Sequence, residues 1–243
     1  SLENEVKKIR QAIMNYEADS KITAFENELL GKMSEFNDWY FPNPDFKYKI
    51  QRGQINEYKY AAEKEKEFLK IYNNLIKKYG VELRQSEDKN FLDKWYIKNI
   101  REEIDFASKQ IKKIKNVKNK EVLAIILSRT IRSCRATTHS DLATLKEPQL
   151  TTYYCWKHKK ICKPLFSIKP WFDRYAVDTV HRLKIFARLK VGAYYSIIPA
   201  DSRTVDIFKE IEKRNKQFYE VLKNQKIRGI FTSPPYVGQI IYH

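Results

Sequence analysis

Glycine and cysteine are both scarce in this chain of 243 residues. The six glycines are scattered, and no two of them lie within three residues of each other, so the sequence has no glycine-rich loop. The three cysteines are few and odd in number, which argues against a secreted disulfide scaffold. We therefore expect an intracellular, reducing compartment, the cytoplasm.

Long apolar runs are also absent. A membrane-spanning helix needs about 20 consecutive apolar residues, and no segment of this chain approaches that length. We accordingly expect no membrane partner. Hydrophobic residues still make up 42% of the chain, which is enough to build a packed core and excludes a disordered tail.

Acidic residues are outnumbered. The chain has 47 Lys and Arg against 30 Asp and Glu, for a net charge of +17. Such an excess favours a polyanionic partner, nucleic acid first. A Lys-rich but merely soluble protein is the alternative interpretation, so the charge alone decides little.

Helical periodicity, with apolar residues at spacings of three and four, dominates the first 135 residues and resumes at about 172–190. Proline breaks the pattern at Pro42 and Pro44, and Gly80 is placed to end a helix. The segment at about 136–170 is irregular and basic. The predicted helices are 3–18, Ser20–Phe36, Gln54–Tyr79, Leu92–Ile114, Val122–Ser133 and Phe172–Lys190.

The last fifty residues have a different pattern. The run Tyr194–Ile198 predicts a strand, Thr204–Asn224 a helix, and Arg228–Thr232 a second short strand. Strand, helix and strand make half of an open α/β sheet. The sequence therefore predicts a mainly α fold, with a helical region at 1–190 followed by a small α/β unit at 191–243.

The most specific motif directly follows the second predicted strand. Its residues are Ser233, Pro234, Pro235 and Tyr236, and this S-P-P-Y sequence resembles the signature of DNA amino-methyltransferases, which methylate N4 of cytosine or N6 of adenine. The resemblance implies a catalytic role for all four residues. The Ser233 side chain and a proline carbonyl would accept hydrogen bonds from the target amine, and Tyr236 would stack on a base swung out of the duplex.

The resemblance to prokaryotic site-specific DNA methyltransferases extends over about residues 91–243. It also rests on Phe91–Tyr96, Ser128-Arg129 with Arg132-Ser133, Asp141–Thr144, and Tyr154-Cys155 through His158 to Cys162-Lys163-Pro164. It implies a helical DNA-handling insert joined to a remnant of a Rossmann-like methyltransferase sheet. The S-adenosylmethionine cofactor of such enzymes would be contacted by Asp201, at the end of the first predicted strand. Capping of the following helix by Asp201 is an equally good interpretation.

Two departures from that family pattern affect the expected activity. The family's F-x-G-x-G loop, which grips the cofactor, is missing, and the chain stops seven residues after Tyr236. We expect a fragment or one part of a split enzyme, which needs the rest of the methyltransferase as a partner. By itself the chain should be inactive and should not bind S-adenosylmethionine.

Candidate DNA contacts lie in two segments. Arg129, Arg132 and Arg135 are spaced to lie on one side of a helix. Residues 151–190 interleave basic and aromatic side chains, a mixture that suits phosphate contacts and base stacking. A solvated surface with aromatic residues in the core is the alternative. The lysines predicted to contact DNA are Lys157, Lys159, Lys160 and Lys163.

A metal site is a weaker hypothesis. Cys155, His158 and Cys162 offer three zinc ligands, with Cys134 or His139 as a fourth. The spacing is not that of a standard paired knuckle. We therefore predict ordinary buried cysteines and a surface histidine, and no metal.

Taken together, the sequence predicts part of an S-adenosylmethionine-dependent DNA methyltransferase of a restriction–modification system. Ser at the first motif position favours cytosine N4 over adenine N6, and double-stranded DNA is the expected partner. One alternative is a non-catalytic nucleic-acid-binding helical module in which S-P-P-Y is only a turn. Another is an RNA or protein methyltransferase.

Overall fold

The structure, a computed structural model, describes residues 1–87, 90–139, 147–225, 229 and 231. The chain divides into two compact units, Ser1–Arg182 (unit 1) and Leu183–His243 (unit 2). The sequence placed the division at residues 190 and 191. The two units are described separately below.

Unit 1 begins with four helices, α1 (Leu2–Asn15), α2 (Ser20–Tyr40), α3 (Asp45–Gln51) and α4 (Glu57–Tyr79). The side chains of Asp19 and Asn56 cap α2 and α4 by accepting main-chain N–H groups. Gly80 ends α4 with a positive φ of 62°, as its position after the apolar pattern predicted. The predicted helices in this part of the chain are confirmed, and the proline-rich break separates α2 from α3.

The helix predicted over Leu92–Ile114 is two helices, α5 (Phe91–Trp95) and α6 (Lys98–Lys112). The single-helix prediction is wrong because Tyr96 is extended, with φ −128° and ψ 139°. Because the chain is extended at this point, Tyr96 packs in one hydrophobic cluster and Ile97 in another. The Tyr96 hydroxyl then donates to the Ile131 carbonyl at 3.0 Å, so tertiary packing overrides the local periodicity.

The rest of unit 1 contains α7 (Val117–Ser133), a two-stranded hairpin, and α8 (Lys169–Leu189), which continues past Arg182. The hairpin lies inside the segment predicted to be irregular. Its strands are β1 (Tyr153–Cys155) and β2 (Lys160–Cys162), paired antiparallel with Tyr153 opposite Cys162 and Cys155 opposite Lys160. Each strand has three residues, which is too short for alternation to be visible in the sequence.

Two hydrophobic clusters hold unit 1 together. Core 1 joins α1, α6, α7 and the start of α8, and core 2 joins α2, α3, α4 and the hairpin. Core 1 contains Ile13, Ile100, Ala107, Leu123, Ile126 and Phe172 among its fully or almost fully buried residues. Core 2 is aromatic and includes Phe25, Phe68, Tyr72, Tyr154 and Phe166.

In unit 2 the structure shows α9 (Ile207–Arg214) and α10 (Lys216–Lys223). The single helix predicted over Thr204–Asn224 is wrong, because Asn215 is extended and its side chain caps α10. The strand predicted at Tyr194–Ile198 is also wrong. No strand occurs among residues 191–225, and in that range Tyr195 and Ile197 are 77% and 78% exposed.

The second predicted strand, Arg228–Thr232, falls largely outside the described residues. The mainly α character of the fold is therefore confirmed, whereas the Rossmann-like remnant is not seen in the part of unit 2 that the structure covers. Among the described residues, no helix combines the length and the apolar character that crossing a membrane requires.

Candidate nucleic-acid interface and cysteine–histidine cluster

The β1–β2 hairpin is fixed to α2 by a buried amide. The Asn37 side chain donates to the Ile161 carbonyl at 3.0 Å and accepts from the Ile161 N–H at 2.9 Å. Asn37 therefore pairs with the free edge of β2 as another strand would. This pairing satisfies two buried main-chain groups, which are costly to leave without partners.

Charged side chains add further anchors. Glu57, in the first turn of α4, accepts from the Tyr154 hydroxyl at 2.9 Å and from the Lys159 ammonium at 2.6 Å. Lys163 forms an ion pair with Glu26 on α2. Two of the lysines predicted to contact DNA, Lys159 and Lys163, thus already hold the hairpin in place.

The turn of the hairpin and the residues near it form an exposed basic and aromatic surface. We define this hairpin surface as Lys47, Tyr58, Trp156, Lys157 and Lys160. Its three lysines line a hollow of about 240 Å³ together with Asn43 and His158. The rings of Tyr58 and Trp156 lie 4.7 Å apart and are 75% and 40% exposed.

The other predicted DNA contacts lie at the end of α7. The Arg129 guanidinium binds Asp178 at 2.8 Å and Thr179 at 3.0 Å, and it lies over the Tyr175 ring. With Arg182, it holds the pKa of Asp178 below its usual range, Arg182 having the larger effect. Arg132 is exposed, and Arg135 follows the helix, whose last residue is Ser133.

Four potential metal ligands meet on one face of the hairpin. The ligand atoms of His139, Cys155, His158 and Cys162 all lie within 4.8 Å of one another. Nδ1 of His158 is 3.5 Å from Sγ of Cys155 and 3.6 Å from Sγ of Cys162. Nδ1 of His139 is 3.6 Å from Sγ of Cys155 and 2.8 Å from the Tyr153 hydroxyl.

The sequence left two candidates, Cys134 and His139, for the fourth ligand, and the structure distinguishes between them. His139 joins the cluster, whereas Cys134 is buried in core 1. Burial raises the pKa of the Cys162 thiol to about 12, with a further contribution from Cys155. Burial also lowers the pKa of His139, and the neighbouring His158 and Lys157 act in the same direction, which favours the neutral imidazole.

The predicted catalytic residues Ser233, Pro234, Pro235 and Tyr236 lie outside the described residues. Asp201 is described and exposed. Its carboxylate accepts from the Arg203 main-chain N–H at 3.0 Å and from the Arg203 guanidinium at 2.6 Å, and these bonds lower its pKa. Asp201 does not cap the next helix, because α9 begins at Ile207 and Asp206 is its cap.

One curated protein is similar to most of this chain. The type II methyltransferase M.MjaII of Methanocaldococcus jannaschii is 44% identical over 223 residues, which is 90% of this chain and 42% of the relative. The chain thus spans less than half the length of that relative. The similarity supports the predicted relationship to methyltransferases. No protein-family model matches the chain, and no solved structure matches it.

Proposed function

We propose that this chain is part of an S-adenosylmethionine-dependent DNA methyltransferase that methylates an exocyclic amino group, with cytosine N4 favoured over adenine N6. Such an enzyme would serve a restriction–modification system. The observation that carries the proposal is the 44% identity over 90% of the chain to a type II methyltransferase. The S-P-P-Y motif at Ser233–Tyr236 supports it independently from the sequence.

Within such an enzyme, unit 1 would handle duplex DNA through the hairpin surface. Lys157 and Lys160 are exposed, and no acidic side chain of the described residues forms an ion pair with either of them. They are therefore free to neutralise phosphates, and Trp156 and Tyr58 present rings on which a base can stack. Arg132 is a further exposed candidate, whereas Arg129, Lys159 and Lys163 are engaged in ion pairs within unit 1.

Unit 2 would belong to the catalytic domain. Several large apolar side chains are exposed there, a pattern that marks contact surfaces in soluble proteins. They would be covered by the rest of the methyltransferase, which would also supply the glycine loop for the cofactor. Asp201 would then contact the cofactor's adenine amino group. The exposed residues are Phe186, Leu189, Val191, Tyr195, Ile197 and Ile207.

DNA handling is tested by fluorescence anisotropy with a labelled duplex at increasing salt. Each neutralised phosphate contributes about 0.9 to the slope of log affinity against log salt, so the K157Q/K160Q variant should lose about 1.8 of that slope. K115Q/K118Q removes the same charge at exposed positions between α6 and the first turn of α7 and serves as the control. Equal losses in both variants, or no binding of the wild type at low salt, would show that the hairpin surface does not contact DNA.

The chemistry is tested in a longer enzyme that contains this segment. Ser233→Ala removes an acceptor that matters most as the amine changes geometry, so kcat should fall more than KM rises. Tyr236→Ala should weaken retention of the flipped base, a stacking interaction of about 1–3 kcal/mol, whereas Tyr236→Phe should be mild. Methyl transfer to a cognate duplex, followed by identification of the modified nucleoside, gives the readout.

Two outcomes of that assay would change the proposal. Full activity in Ser233→Ala and Tyr236→Ala would mean that S-P-P-Y is only a turn, and a non-catalytic nucleic-acid-binding module would be the better description. Finding N6-methyladenine would change only the choice of target base.

A further inference from the structure

The cluster on the hairpin face opposite to core 2 has the composition of a metal site. We propose that one Zn²⁺ ion binds in unit 1 through His139, Cys155, His158 and Cys162. These are two sulfur and two nitrogen ligands, a set that zinc takes in closed, tetrahedral structural sites. The inference does not depend on the proposed methyltransferase function.

The interatomic distances fit a tetrahedron. With Zn–S near 2.3 Å and Zn–N near 2.0–2.1 Å, the edge joining a sulfur to a nitrogen is about 3.6 Å. The structure gives 3.5 and 3.6 Å from His158 Nδ1 to the two sulfurs, and 3.6 Å from His139 Nδ1 to Cys155 Sγ. Three of the six edges of the tetrahedron therefore already have the required length, and the remaining ligand atoms lie within 4.8 Å of one another.

The fold explains why these residues converge. In the antiparallel register, Cys155 and Cys162 project from the same face, since Tyr153 is opposite Cys162 and Cys155 is opposite Lys160. The other face carries Tyr154 and Ile161 into core 2. His158 lies in the turn, where its N–H donates to the Cys155 carbonyl at 3.1 Å, and Lys159 closes the turn with a φ of 56°.

His139 reaches the cluster from the segment that follows α7. The Tyr153 hydroxyl accepts from the His139 main-chain N–H at 3.2 Å, which places the imidazole over the hairpin. The Ala136 N–H donates to the Trp95 carbonyl at 2.9 Å and ties the same segment to the end of α5. A bound ion would thus cross-link the end of α7 to a hairpin whose strands have three residues each.

Charge does not oppose zinc binding at this cluster. The hairpin turn carries Lys157, Lys159 and Lys160, and a divalent cation beside them would ordinarily be repelled. Two cysteine thiolates cancel the charge of Zn²⁺, so the complete site is neutral and adds no positive charge to the turn. A structural ion would hold the hairpin surface in one conformation without contributing to its charge.

Metal analysis of the purified chain tests the proposal. After purification with zinc and extensive dialysis, inductively coupled plasma mass spectrometry should find one zinc per chain. Cys155→Ser, Cys162→Ser, His139→Ala and His158→Ala should each lose most of it. Cys134→Ala and His181→Ala are the matched controls, since Cys134 lies in core 1 and His181 is exposed on α8, and both should retain it.

Cobalt substitution covers the case in which a ligand variant fails to fold. Wild-type chain is stripped of metal with a chelator and reloaded with Co²⁺. It should then show the intense visible absorption bands of tetrahedral cobalt together with thiolate charge-transfer bands. Added zinc should displace the cobalt and abolish these bands. The proposal would be overturned if the metal-free chain gave no such bands on addition of Co²⁺ and if neither zinc nor a chelator changed its thermal stability. A Cys155–Cys162 disulfide that persists in chain freshly purified in the presence of a reductant, detected by mass spectrometry, would overturn it as well.

Discussion

Units 1 and 2 differ in how far their apolar side chains are buried. In unit 1, Phe25, Leu29 and Phe68 are completely buried. In unit 2, Ile211 is the buried hydrophobic residue of the described part, whereas Tyr195 and Ile197 are more than three-quarters exposed. Unit 1 therefore has the packing of an independently stable region. In the proposed enzyme, the exposed apolar side chains of unit 2 would be covered by the rest of the catalytic domain.

The largest loss of stability should come from removing one buried side chain from core 2. Phe68→Ala removes a completely buried ring and should cost about 3–5 kcal/mol of unfolding free energy. Phe186→Ala, which truncates the same side chain at an exposed position in unit 2, should change stability by no more than about 0.5 kcal/mol. Urea unfolding followed by circular dichroism measures both, and similar costs for the two variants would remove the distinction between the units.

A smaller effect should follow from detaching the hairpin. Asn37→Ala leaves the Ile161 N–H and carbonyl without the partners they have on α2, and the loss should be about 1–3 kcal/mol. The exposed Asn43→Ala serves as control and should be nearly neutral. The same urea titration gives the result. A stability equal to wild type in Asn37→Ala would mean that the hairpin is held mainly by its other contacts.

The smallest and most specific effect concerns the pH dependence of the stability of unit 1. Burial raises the pKa of Glu103 above its ordinary value, although the Ile168 N–H, the Ser167 hydroxyl and Lys169 oppose the shift. A carboxyl group whose pKa is higher in the folded state than in the unfolded state contributes stability that is complete below its unfolded-state pKa, about 4.3 for Glu. This contribution is lost as the pH rises through the folded-state pKa. Wild type should therefore lose stability relative to Glu103→Gln as the pH rises above about 4.3.

Urea midpoints of both proteins at several pH values above and below about 4.3 provide the measurement for Glu103. Glu102→Gln, next to it in sequence and partly exposed, removes one carboxylate while keeping Glu103 and is the control for the change in net charge. A constant difference between wild type and Glu103→Gln at all pH values would show that Glu103 titrates alike in the folded and unfolded chain.

Local signals carried most of the helix prediction. Apolar spacing, the proline break and Gly80 predicted α1, α2, α4 and α7 because these features act within a few residues. The break at Tyr96 was missed since it depends on which core receives each side chain. Likewise, the β-branched and aromatic run at 194–198 has strand propensity, but it has no neighbouring strand in the described residues with which to pair.

The candidate site was only partly accessible from sequence. Cys155, His158 and Cys162 are close along the chain, and their spacing was visible. His139 lies 16 residues before Cys155, and only the fold selects it over Cys134. Asn37 and Glu57, which position the hairpin, are more than 90 residues away along the chain, so no local pattern indicates them.

Hydrogen–deuterium exchange of the chain with and without duplex DNA tests most directly whether unit 1 handles DNA through its hairpin surface. DNA should slow exchange in peptides covering Trp156–Lys160 and the start of α3 near Lys47, and should leave residues 191–225 unchanged. Unaltered exchange at Trp156–Lys160, with DNA-dependent protection confined to 191–225, would contradict the assignment of DNA handling to unit 1.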